Sequence, residues 1–121
     1  MATNQSRVCV THTAGADLSA DQYKIVELGA SGVTVCNTAG EQGYGVLQNA
    51  PTSGGAASVA ISGIAKVRLG ATLAAGAKFT TSAAGLAVAP TTGQFVLGQI
   101  VEGGASGEIG SAKLDANGAS A

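Results

Sequence analysis

Glycine interrupts most of this chain at short intervals. Of the 121 residues, 19 are glycine, and between them lie short runs rich in Val, Ile and Thr, such as residues 8–13 and 32–36. β-Branched residues favour strands. Short strands with turn signals at intervals of about 8–12 residues are typical of sandwiches and barrels. We therefore predict an all-β fold, a small β-barrel or sandwich of many short strands joined by Gly-rich turns.

The run at residues 64–69 has the clearest strand pattern. Its residues alternate, so Ala65, Val67 and Leu69 share an apolar face and Ile64, Lys66 and Arg68 share the other. We expect Gly63 to end the strand that precedes this run. The other predicted strands are residues 8–13, 32–36, 45–48, 57–62, 78–81, 86–89, 94–102 and 107–114.

Residues 22–28 fit two structures. Ser19 and Gln22 have the spacing of a helix capping box, and Gly29 could end a helix. The Tyr, Ile and Val of the segment favour a strand instead, and seven residues make a short helix. We predict a strand.

The length of the chain suits one domain, because two halves would each be too small to bury a core. Residues 1–7 are polar and have too little apolar surface to fold alone, so we predict a flexible N-terminal arm there. Residues 8–114 form the predicted single β domain, and residues 115–121 a frayed C-terminal tail.

The charges are few and scattered. The chain has six Lys and Arg residues and seven Asp and Glu residues, and Lys66 and Arg68 are the only cations close together in the sequence. Nucleic-acid binding needs a basic face that neutralises phosphates, so we expect neither such a face nor nucleic acid as a partner. No apolar run approaches the roughly 20 residues of a membrane span, and the N-terminus has no apolar signal segment. We therefore expect no membrane partner, and a protein that is made and kept in the cytoplasm or leaves it inside a larger particle.

No catalytic constellation stands out. His12 is the only histidine, so a triad, a Cys–His pair or a zinc site would each depend on it. The glycines form no phosphate-binding motif. We expect no enzymatic activity, no metal and no cofactor. Cys9 and Cys36 lack a metal-type spacing, and we interpret them as small buried hydrophobic residues, with a disulfide as the open alternative.

Several stretches carry a resemblance to one protein family. They are, in order, residues 22–28 (QYKIVEL), 45–54, 58–67 (SVAISGIAKV), 70–76 (GATLAAG), 84–88, 96–101 and 107–109. In this order and spacing the chain resembles the bacteriophage capsid decoration (cement) family, formerly classed as a domain of unknown function. Many relatives carry Asp where this chain has Ala77, and the first 20 residues match poorly.

The resemblance implies a β-barrel-like domain, usually a homotrimer, on the outer capsid surface of the virion at threefold or quasi-threefold positions. Its implied partner is the major capsid protein, and it has no catalytic residues to transfer. Many weak, symmetry-related contacts would then stabilise the shell through avidity.

The N-terminal arm is the candidate capsid contact. It could add an extended segment to a capsid strand edge, with side-chain hydrogen bonds in support. The candidate contact residues are Thr3, Asn4, Gln5, Ser6 and Arg7. A frayed terminus without a role is the alternative, and it stays open.

Two other functions fit the sequence less well. A carbohydrate-binding β-module on a particle or cell surface would need aromatic platforms, and the chain has only Tyr23, Tyr44, Phe79 and Phe95. A biotinyl or lipoyl carrier would need its lysine at a hairpin tip, whereas Lys66 lies inside an alternating strand.

Overall fold

The computed structural model describes residues 7–41, 43–91 and 93–114. These residues form nine strands and no helix, which confirms the predicted all-β class. The strands are β1 (Arg7–Thr13), β2 (Ile25–Gly29), β3 (Gly32–Val35), β4 (Gly45–Leu47), β5 (Ala56–Arg68), β6 (Lys78–Thr81), β7 (Ala87–Val88), β8 (Gly98–Glu102) and β9 (Ile109–Leu114). In the described part of the chain, nothing helical is long and apolar enough to cross a membrane.

All nine strands belong to one antiparallel sheet that curls into a half-barrel. The strand order is β3-β2-β4-β5-β9-β8-β6-β7, and β1 pairs with β5 off this path. An isolated parallel bridge between Ala14 and Val33 connects the end of β1 to β3. The five strands in the order β3-β2-β4-β5-β1 therefore curve until the first and the last of them meet at that end of the molecule.

The longest strand, β5, has 13 residues and changes partners along its length. Its first half pairs with β1 and β4, and its second half with β9. Gly63 lies at the change and has a φ of 86°, a conformation that glycine adopts at little cost. The prediction that Gly63 ends the strand is wrong, because this glycine redirects a continuous strand from one partner to the next.

The core consists of two apolar clusters. Neighbouring residues of one strand point into different clusters, as Val46 and Leu47 show on β4. The first cluster is the larger and contains Phe79, a fully buried side chain. Strand β4 is therefore buried on both faces, which explains why its sequence is apolar without alternation.

The strand predicted at residues 22–28 is correct only from Ile25 onward. Residues 22 and 23 form a turn in which Tyr23 has a φ of 70°. Tyr23 donates its N–H to the Leu47 carbonyl at 2.7 Å and accepts the Arg68 N–H at 2.8 Å. These hydrogen bonds to two distant strands override the local strand preference.

The strand predicted at residues 94–102 is also shorter than expected, because β8 begins at Gly98. The residues before it bond elsewhere. The Phe95 N–H donates to the Gly40 carbonyl at 3.1 Å, and the Leu97 N–H donates to the Phe79 carbonyl at 2.9 Å. These long-range hydrogen bonds therefore determine that β8 begins at Gly98.

Both cysteines are free thiols, but in different environments. Cys36 is buried, as predicted, whereas Cys9 is exposed on β1, so the prediction of burial is wrong for Cys9. Burial raises the pKa of the Cys36 thiol, and the hydrogen bond and charge of Glu41 raise it further. A thiol held protonated and out of solvent is a poor nucleophile.

We therefore expect a maleimide or disulfide reagent to modify Cys9 quickly in the folded protein and to reach Cys36 only after denaturation. Mass spectrometry should show one adduct per chain under native conditions and two in denaturant. Cys9→Ser should abolish the native adduct, and Cys36→Ser should preserve it. Failure to add two equivalents in denaturant without reductant would indicate a disulfide and contradict the structure.

Candidate docking surface

The outward side of the second half of β5 and of β9, β8 and β6 brings together residues that are far apart in the sequence. In the register of β5 and β9, Ile64 lies opposite Lys113, Lys66 opposite Ser111, and Arg68 opposite Ile109. Residues directly opposite each other on an antiparallel ladder project to the same side. We call this surface the outer sheet face.

The same row continues onto the next two strands. Lys113 lies opposite Gln99 on β8, and Gln99 lies opposite Lys78 on β6. Neighbouring strands are about 4.8 Å apart, so Lys113 and Lys78 start about 10 Å apart. The residues that alternate with this row, such as Val67 and Ala112, are fully buried. Within the row Lys66, Lys78, Gln99 and Lys113 are exposed, whereas Ser111 between them is buried.

The outer sheet face is basic. It carries four of the six cations of the chain, of which Lys66, Lys78 and Lys113 are exposed and Arg68 is half-buried. One carboxylate, Glu102, shares the face through its pairing with Ser111. Within the described residues the sole ion pair joins Lys24 Nζ to Asp21 Oδ1 at 2.9 Å, and it includes none of the cations of this face. The expectation that the scattered cations form no basic face is therefore wrong.

Lys66 is held in place at the border of the outer sheet face. Its Nζ lies 5.9 Å from the centroid of the Tyr23 ring, within the range of a cation–π contact. The Gln48 side-chain N–H donates to the Lys66 carbonyl at 3.1 Å. The ring contact restrains the ammonium group of Lys66, and the hydrogen bond holds its backbone.

The outer sheet face also has an apolar component. Ile109 is 47% exposed. Ile64 is half-buried on the same face, four residues before Arg68, the partner of Ile109 on β5. Apolar area among charged and polar side chains is the usual composition of a protein–protein interface.

A second surface has the opposite charge. On β2, Glu27 is half-buried, and beside it Leu28 is 54% exposed. Partial burial raises the pKa of Glu27, and the hydrogen bond and negative charge of Glu41 raise it further. Glu27 and Leu28 are consecutive on β2 and project to opposite sides of the sheet, so the acidic pair of Glu27 and Glu41 is separate from the exposed Leu28.

The predicted capsid contacts lie mostly outside the described residues. The described part of the chain begins after Thr3, Asn4, Gln5 and Ser6, and it ends before the predicted tail at residues 115–121. Arg7 is the first residue of β1 and lies opposite Gly63. Its backbone therefore belongs to the sheet and not to a separate arm.

The single histidine has a satisfied side chain. His12 Nε2 lies 2.7 Å from the Tyr44 hydroxyl, and the two rings meet edge to face with centroids 5.1 Å apart. Across residues 7–41, 43–91 and 93–114, no three His, Cys, Asp or Glu side chains are placed to hold a metal ion.

One small opening lies between Ile25, Tyr44, Ile61, Phe79 and Leu97. Its cavity volume is about 10 Å³, which is room for about one water molecule. The opening cannot enclose a substrate or a cofactor, and Phe79, fully buried at its wall, cannot serve as a sugar platform.

The comparisons with known proteins show what the fold is similar to. No family model matches the chain, and no curated protein matches it, so the resemblance to the decoration family is not confirmed. A solved structure does match: the head fiber gp8.5 N base of bacteriophage phi29. The TM-score is 0.68 at 17% sequence identity, with 96% of this chain and 100% of that chain covered. At this identity the match shows a shared fold over the whole domain.

Sequence reasoning missed most of the outer sheet face. The alternation at residues 64–69 correctly placed Lys66 and Arg68 on the solvent side. Lys78 and Lys113 join them only through the pairing of β6, β8 and β9, and no local pattern in the sequence signals that pairing.

Proposed function

We propose that this protein is a non-enzymatic structural component of a bacteriophage head, bound to the outer capsid surface. The observation that carries the proposal is the match, over 96% of this chain and the whole of the other, to the base of a phage head fiber. The exposed charged and apolar face on the sheet is in keeping with a protein whose work is contact with other proteins.

In this proposal the protein is a homotrimer that decorates the shell and cements it through contacts with the major capsid protein. Each contact is weak, but three copies held in one trimer bind together, so the effective affinity rises by orders of magnitude without any single tight site. A trimer also matches the symmetry of threefold positions on a shell.

The cementing role is tested on particles that lack the protein. Bare particles are expected to release their genome at lower temperature, or after milder osmotic shock, than decorated particles, and added protein should restore the difference. The readout is genome release followed with a DNA-binding dye. Equal survival of bare and decorated particles would contradict the cementing role, and failure of the protein to sediment with particles would contradict capsid binding.

A further inference from the structure

We propose that the outer sheet face is the surface by which this protein docks on the shell, and that it meets an acidic patch on the surface of the capsid protein. The inference rests on the capsid binding of the proposed function and identifies the contact face and the charge of its partner. Its central contacts join the ammonium groups of Lys66, Lys78 and Lys113 to carboxylates of the partner.

The first argument is the unbalanced charge of the face. Lys66, Lys78 and Lys113 are exposed, and none of them forms an ion pair within the described residues. Lys113 lies diagonally from Lys66 on the neighbouring strand, about 8 Å away, and two strands from Lys78, about 10 Å away. These like charges repel one another, and carboxylates of a partner would relieve the repulsion. The charge of the face therefore fits an acidic partner.

The second argument is that the face is ordered before any partner arrives. Its side chains project from a ladder of four paired strands, so the backbone register sets their spacing. The Tyr23 ring restrains the Lys66 ammonium group. The Gln99 side-chain N–H donates to the Gly76 carbonyl at 3.0 Å. Side chains that are already held in place lose less conformational entropy on binding.

The third argument identifies a protein, and not a nucleic acid, as the partner. Ile109 is 47% exposed at one end of the face, and Ile64 is half-buried opposite Lys113. Nucleic acids are bound mainly through their phosphates. Phosphates gain nothing from these apolar side chains and are repelled by Glu102 on the same face. A protein surface can cover apolar and charged groups together.

The experiment is sedimentation of the protein with bare particles at increasing protein concentration. Lys66→Glu and Lys113→Glu should each raise the apparent dissociation constant by about tenfold or more, because they place like charges opposite each other. Lys113→Arg keeps the charge and should bind like the wild type. Ser53→Glu/Ala83→Glu is the control, since it changes the net charge as much as Lys113→Glu at exposed turn positions outside the face. Added salt should weaken the wild type more than Lys113→Glu, because screening removes an attraction that the variant has already lost.

The results that would overturn the inference differ from those that would overturn the proposed function. A wild type that fails to sediment with particles would contradict capsid binding, and this inference with it. A wild type that sediments no better than Lys66→Glu and Lys113→Glu would exclude the outer sheet face and leave the proposed function intact. An equal loss in Ser53→Glu/Ala83→Glu would exclude it too, because the effect would then follow net charge. Salt-sensitive binding of a DNA duplex by the wild type, lost in Lys113→Glu while sedimentation is unchanged, would assign the face to nucleic acid instead.

Discussion

Phe79→Ala is expected to lower the free energy of unfolding by about 3–5 kcal/mol, because it removes a buried aromatic ring and leaves a cavity. Phe79 is fully buried on β6, and the chain has few large side chains with which to fill the space. Small domains have only about 5–15 kcal/mol of stability in total. A large part of the folded population should therefore be lost on warming.

Urea denaturation followed by circular dichroism measures this effect. Phe79→Leu keeps most of the apolar volume and should cost clearly less than Phe79→Ala. Phe95→Ala is the second control, since Phe95 is only half-buried. A loss below about 1 kcal/mol for Phe79→Ala, within the range of ordinary surface substitutions, would contradict the described core.

Gly32→Ala should have the second large effect, because it disturbs the site where β3 meets the end of β1. Gly32 has a φ of 129°, and a Cβ there would overlap the Thr13 carbonyl oxygen. Relief requires β1 and β3 to separate, which would break the Ala14–Val33 bridge. We expect a loss of about 2–4 kcal/mol, in the range of substitutions that strain a packed backbone.

Gly54→Ala is the matched control. Gly54 also has a positive φ, 81°, but a Cβ there would meet nothing within 4 Å. Gly54→Ala should therefore lower the free energy of unfolding only by the cost of a side chain at a positive φ, about 1–2 kcal/mol. Equal losses for the two variants in urea denaturation would show that the contact of β1 with β3 contributes nothing.

The fold class could be predicted because its signals are local. Glycine spacing and β-branched runs predicted many short strands, and the alternation at residues 64–69 predicted Ala65, Val67 and Leu69 as apolar and inward, which their complete burial confirms. The errors at Gly63 and Tyr23 have a common cause. Both residues adopt positive φ values to satisfy partners that are remote in sequence, and no local pattern reports such partners.

The candidate site was less predictable for the same reason. The cations of the outer sheet face come from three strands, and their meeting depends on a register set by turns and glycines elsewhere. The contact proposed for Thr3, Asn4, Gln5 and Ser6 stays a prediction, because those residues lie outside the described part of the chain. Deleting residues 2–6 and measuring sedimentation with bare particles would test it.

Electron microscopy of the native particle, reconstructed to a resolution that shows strands, tests the central claim most directly. The account predicts density for this half-barrel on the outside of the head, grouped in threes at threefold or quasi-threefold positions. Particles made without the protein should lack that density. A complete head reconstruction with no such density, or density for the fold inside the shell or on the tail, would contradict the account.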